Sequence, residues 1–107
     1  MSAAIVIGPI VVDMSTPVTV TTFAKSGLKS VKYHITLVKG VNITTFEVNA
    51  VHNGTDECGT VYGIVDAQTA SQLDDITVSS TGTTLDLNIT SASDGTTAII
   101  QGTALYS

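Results

Sequence analysis

The stretch from Ile43 to Val65 constrains the fold most strongly, because it combines an alternating pattern with turn residues. Residues 43–51 alternate apolar and polar side chains, which is the period of a half-buried β-strand. His52-Asn53-Gly54-Thr55 follows, and Asn-Gly supplies residues that tolerate the positive φ angles of a hairpin turn. A second β-prone run covers residues 60–65. The gap exceeds two residues, so a wider loop or a bulge around Gly54 or Gly59 is as compatible with the sequence as a tight turn.

Similar short strands are predicted along most of the chain. Val31, Tyr33, Ile35 and Leu37 alternate with polar residues, and Phe46, Val48 and Ala50 are expected to face the same core if the two strands pair. Residues 66–72 lack apolar periodicity and are predicted to form a loop or one helical turn. The pattern therefore predicts an all-β fold, an antiparallel β-sandwich or a small β-barrel. The further predicted strands are 5–12, 17–24, 73–78, 85–89 and 97–106.

The N-terminal segment is apolar and contains a proline. Pro9 cannot donate a hydrogen bond to a β-ladder, so the segment is predicted to be either an edge strand or an extended arm. We divide the chain into this arm or edge strand, residues 1–16, and a single β-sandwich domain, residues 17–107. An arm would hide its apolar side chains against another subunit. The predicted partner-binding residues are Ile5, Val6, Ile7, Ile10, Val11 and Val12.

The composition narrows the classes of partner. Charged residues make up 12% of the chain, about half the usual share, which is compatible with a surface covered by neighbouring subunits. The formal net charge is −5 with four lysines and no arginine, so we expect neither nucleic acid nor an acidic membrane surface as a partner. The N-terminal residues lack the basic region and cleavage site of a signal peptide, so we expect no Sec export.

Residues with catalytic or metal-binding potential are few. His34, His52 and Cys58 are the histidines and cysteine of the chain, one fewer than the four ligands of a structural zinc site. No residue pair suggests a nucleophile with its base. We therefore expect no enzyme activity, no cofactor and no metal.

Several segments together resemble a small module found in virion structural proteins of tailed phages, particularly marine and cyanobacterial phages. The most distinctive are His52-Asn53-Gly54-Thr55 and, after it, Tyr62-Gly63-Ile64-Val65. Residues 1–30 lie outside the resemblance. Members of the module often carry an aromatic residue soon after the turn, where this chain has Glu57-Cys58-Gly59. The other segments that carry the resemblance are the Tyr33 strand, Glu47-Val48, Leu73-Asp74-Asp75-Ile76, the Gly82 turn, Leu85 to Ile89 and the Thr97 to Tyr106 strand.

The resemblance implies a non-enzymatic component of the virion. The first expectation is a capsid decoration or cement protein that binds neighbouring capsid subunits and forms a homo-oligomer. The alternatives are a tail, neck or fibre component, or a glycan-binding adhesin module displayed on the virion.

Overall fold

The alternating segments form eight β-strands in a computed structural model of the chain, which describes residues 2–52, 56–67, 72–81 and 83–106. The Asn53-Gly54 turn and Gly82 lie outside the described residues, as do residues 68–71 of the predicted loop or helical turn. None of the described residues belongs to a helix that could cross a membrane. The strands are β1 (Ser2–Val12), β2 (Val18–Ala24), β3 (Leu28–Lys39), β4 (Asn42–His52), β5 (Glu57–Ala67), β6 (Leu73–Ser80), β7 (Thr84–Ser91) and β8 (Thr96–Tyr106).

The strands form two antiparallel sheets that pack face to face. The large sheet has the order β1-β8-β3-β4-β5, and the small sheet has the order β2-β7-β6. Every pair of hydrogen-bonded neighbours is antiparallel. The prediction of an all-β antiparallel fold is confirmed, and the two separate sheets make it a sandwich, not a closed barrel.

The core lies between the sheets and follows the two-residue period of the sequence. In the large sheet Tyr33 pairs with Val48 and Ile35 pairs with Phe46, and all four side chains are buried. This confirms that the β3 and β4 residues face one core. The small sheet contributes Leu85, Leu87 and Ile89, which are fully buried. Alternation places every second side chain of a strand on one face, so these positions fill the space between the layers.

Tyr33 connects the two layers through a buried polar contact. The Thr21 hydroxyl on β2 donates a hydrogen bond of 2.9 Å to the Tyr33 hydroxyl on β3. The Phe23 and Tyr33 rings lie with their centroids 6.3 Å apart in a tilted arrangement. Burial raises the pKa of the Tyr33 phenol, and the Thr21 hydrogen bond offsets part of this rise. The pairing satisfies both hydroxyl groups in a region where an unpaired polar group would be costly.

Both edges of the large sheet contain an irregularity in the strand register. In β1 the register shifts between Ile7 and Ile10, next to Pro9. In β5 the register shifts opposite Phe46, where Gly63 has a φ of +64°. A glycine in this conformation is typical of one kind of β-bulge. Gly59 pairs regularly with Ala50, so the alternative of a bulge at Gly59 is wrong, and Gly54 lies outside the described residues.

Candidate interaction face

The outer face of the large sheet, defined as the side turned away from the small sheet, can be mapped from the strand register. Two adjacent rows of side chains cross all five strands at its middle. The Val6 row consists of Val6, Gln101, His34, Glu47 and Tyr62. The Ala4 row consists of Ala4, Thr103, Lys32, Asn49 and Thr60.

Exposed apolar side chains concentrate on this outer face. Ten large hydrophobic side chains are exposed among the described residues, and the register places seven of them there. The most exposed is Val6, at 75%. The other three are Met14 and Val41, which lie between strands, and Ile64 at the β5 bulge. The seven on the outer face are Val6, Val11, Ile43, Val51, Val65, Ile99 and Leu105.

The outer face of the small sheet has the opposite character. Hydroxyl, amide and carboxylate side chains on this face hydrogen-bond to one another across the strands. The Thr19 hydroxyl donates to Asn88 Oδ1 at 2.6 Å, and Asn88 Nδ2 donates to Ser79 at 3.0 Å. The Thr22 hydroxyl donates to Asp86 Oδ1 at 2.9 Å. None of the exposed large hydrophobic residues lies on these strands in the described part of the chain. The two faces are therefore built for different surroundings.

The middle of the outer face is polar and electrically balanced. Lys32 Nζ lies 3.9 Å from Glu47 Oε1, and both side chains are partly solvated. Such an exposed pair contributes little to folding. A shallow depression of about 340 Å³ lies beside it, bounded by Ala4, Val6 and Gln101 among others. Two small residues, Ala4 and Gly102, form part of the lining of this depression.

The predicted partner-binding residues divide between two faces of β1. The strand pairs along its length with β8, so residues 2–12 occupy the edge-strand position in the large sheet. Val6 and Val11 lie on the outer face and are exposed, whereas Val12 is fully buried in the chain's own core. Ile5, Ile7 and Ile10 are partly buried and pack against that core. A role of these six residues in binding a partner stays a prediction.

Sequence reasoning missed most of the apolar residues on the outer face. Ile43, Val51 and Val65 lie in strands that were predicted, but at the positions that alternate with the core residues. Ile99 and Leu105 do the same in β8. The sequence does contain a sign of this face. In these strands both the inward and the outward positions include large aliphatic residues, and a sheet face that is fully exposed to water does not need them.

The histidines and the cysteine do not form a metal centre. His34 lies on the outer face, while His52 and Cys58 lie near the end of the β4–β5 pair, where Cys58 is exposed. Within residues 2–52, 56–67, 72–81 and 83–106, no three His, Cys, Asp or Glu side chains come close enough together to hold a metal ion.

Comparison with known proteins adds no relatives. No protein-family model matches the chain, and neither the curated proteins nor the solved structures include a significant match.

Proposed function

We propose that the chain is a structural component of a phage virion, and specifically a capsid decoration or cement protein that binds neighbouring subunits. The observation that carries an assembly role is the placement of seven exposed large aliphatic side chains on the outer face of the large sheet. Soluble monomers seldom expose large contiguous apolar patches, and patches rimmed by polar residues are typical of protein–protein contacts. On this face the aliphatic side chains lie on both sides of a polar middle.

The energetics favour covering this face. Complete burial of one Val, Leu or Ile side chain from full exposure contributes about 1.5–3 kcal/mol. Residues such as Leu105, at 52% exposure, would gain roughly half of such a value. Summed over the face, this gain is of the size needed to offset the roughly 4–15 kcal/mol lost in association. The outer face of the small sheet offers no comparable gain, because its side chains already hydrogen-bond to one another.

The assignment to a virion rests on the resemblance to the tailed-phage module. One of its two most distinctive segments, Tyr62 to Val65, lies on β5 at the edge of the large sheet. The departure from the module, Glu57-Cys58-Gly59, lies on the same strand. The part of the chain that resembles virion proteins therefore adjoins the proposed assembly face.

The test is to locate the protein in purified virions. Mass spectrometry of intact particles should detect the chain in stoichiometric amounts, and gold-labelled antibodies should mark the capsid shell. Labelling confined to the tail would replace the capsid assignment with a tail, neck or fibre component. Complete absence from the particle would contradict the proposal. A glycan array with the purified protein is the companion experiment, and specific, saturable binding there would favour an adhesin.

A further inference from the structure

We infer that the outer face of the large sheet binds the same face of a second copy, in a two-fold symmetric dimer. The inference rests on the proposed assembly role of this face and names its partner. It also makes a prediction that the assembly role alone does not make, namely that the purified protein associates with itself through defined residues.

The register of the sheet provides a natural position for the two-fold axis. Ile5, Gly102, Tyr33 and Val48 lie at one level across four strands, between the Val6 row and the Ala4 row. A two-fold axis along this line exchanges the two rows. It also places Leu105 of one copy opposite Ile99 of the other, because these residues are equally distant from Gly102. The strands of the two copies then run nearly antiparallel, in the aligned geometry common for packed sheets.

The surface along this axis is complementary to itself. The same rotation places Val6 of each copy opposite Ala4 of the other, so a large side chain meets a small one. Val6 is 75% exposed and protrudes, whereas Ala4 helps to form the shallow depression of about 340 Å³ that lies along the axis. An isologous interface requires this kind of matching, because each residue must fit the surface that the same residues form in the partner.

The charges of the outer face also suit a second copy. Among the described residues that face outward and pair with a neighbouring strand, Lys32 and Glu47 carry a charge. Their charges cancel, although the chain as a whole has a formal net charge of −5. Glu47 is the acidic residue at the paired positions of this face, and Asp56 adjoins the face at the end of β4 and β5, beside Val51 and Cys58. The two rows that the axis exchanges contain Lys32 and Glu47 respectively. The rotation places Glu47 of the partner copy at the level of Lys32 but on the neighbouring strand, while the residue directly opposite Lys32 is His34.

The face is large enough for a stable dimer. Five strands spaced about 4.8 Å apart span about 19 Å, and strands of 11 residues extend about 36 Å. The resulting area of roughly 700 Å² lies within the range of about 600–1,000 Å² that each partner buries in a specific complex of standard size. The inner face of the sheet is already occupied by the chain's own core, so the outer face is the one available for such a contact.

Sedimentation velocity over a range of concentrations tests this inference on the purified protein. The wild-type chain should sediment as a dimer, and Val6→Asp should weaken dimerisation about 100-fold, because it places a charge beside the axis in both copies. Val41→Asp is the matched control, since Val41 is 73% exposed but lies between β3 and β4, away from the face. It should leave the dissociation constant within about threefold of wild type. Circular dichroism verifies that both variants are folded.

Exchanging the charges of Lys32 and Glu47 provides a second test. These substitutions replace one charged side chain by another, so none of them makes an apolar position polar. Lys32→Glu and Glu47→Lys should each weaken the dimer, and the double variant should restore most of the lost affinity. A monomeric wild-type chain, equal behaviour of the two aspartate variants, or no recovery in the double variant would overturn the inference. The dimer and the proposed virion role can be refuted separately. A chain that is monomeric in solution but present on virions would refute the dimer and leave the virion role standing.

Discussion

Substitution of Tyr33 by phenylalanine tests how the two sheets are held together. Tyr33 is 1% exposed and Thr21 is 3% exposed, and their hydroxyls are 2.9 Å apart. Removing the phenol hydroxyl leaves the Thr21 hydroxyl in a buried position without that acceptor. An unsatisfied buried polar group costs about 1–3 kcal/mol, so we expect the free energy of unfolding to fall by about this amount.

A double-mutant cycle measures the hydrogen bond itself. Thr21→Val removes the donor at nearly constant volume, and the combination with Tyr33→Phe removes both polar groups. Because the double variant leaves no orphaned hydroxyl, its loss should be smaller than the sum of the single losses, with a coupling energy of about 1 kcal/mol. Urea denaturation followed by far-ultraviolet circular dichroism measures each free energy. Tyr62→Phe is the control, because Tyr62 lies on the outer face and should change stability by less than about 0.5 kcal/mol.

The reasoning would be refuted by two results. If Tyr33→Phe matches the stability of the Tyr62→Phe control, the buried hydroxyl pair contributes nothing to the folded state. If the coupling energy is zero while both single variants are destabilised, the two hydroxyls act independently, and the sheets are not linked through this contact.

Three further predictions concern pH, the β5 bulge and the first strand. The pKa of Tyr33 is raised in the folded state, so above about pH 10 the unfolded chain loses a proton that the folded chain keeps. Stability should therefore fall as the pH rises from about 10 through the folded-state pKa, and Tyr33→Phe should make this fall less steep in denaturation experiments. Gly63→Val should lower the free energy of unfolding by about 1–2 kcal/mol through backbone strain, since nothing lies near the added Cβ, and Gly63→Asn should lower it less. Equal stability of the two Gly63 variants would argue against a left-handed conformation there. Deletion of residues 2–12 removes the buried Val12 and uncovers the β8 edge, so the shortened chain should unfold or lose several kcal/mol of stability in the same assay. A stable deletion variant would mean that the core closes without this strand.

The eight strands and the inward residues of β3, β4 and β7 were predictable from the sequence. Alternation determines which side chains share a face, and Tyr33, Ile35 and Phe46 are buried as the pattern indicates. The pairing of β1 with β8 could not be read in this way, because a period of two does not specify which distant strand becomes the neighbour. The same applies to the separation of β2, β7 and β6 into their own sheet.

The candidate face was less accessible to sequence reasoning. The N-terminal segment is a nearly continuous apolar run in the sequence, but the structure divides it between the core, where Val12 lies, and the outer face, where Val6 and Val11 lie. A continuous run does not show which of its two alternating sets is covered. Ile99 and Leu105 lie in the strand predicted over residues 97–106, but that prediction assigned neither residue to a face of the sheet. Only the three-dimensional register places them on the same face of the sheet as Val6.

The interrupted edges of the large sheet determine how an assembly of this protein could grow. A sheet that adds strands at its edges has no inherent end, so edge-to-edge growth produces fibres of indefinite length. At one edge Pro9 lacks a backbone N–H group and the register shifts beside it, and at the other edge the Gly63 bulge breaks the row of hydrogen-bonding groups. Contact through a sheet face does end. In a dimer with a two-fold axis, each copy covers this face of the other, so a third copy cannot bind to the same face. The two irregularities thus disfavour growth of this sheet by addition of strands at its edges.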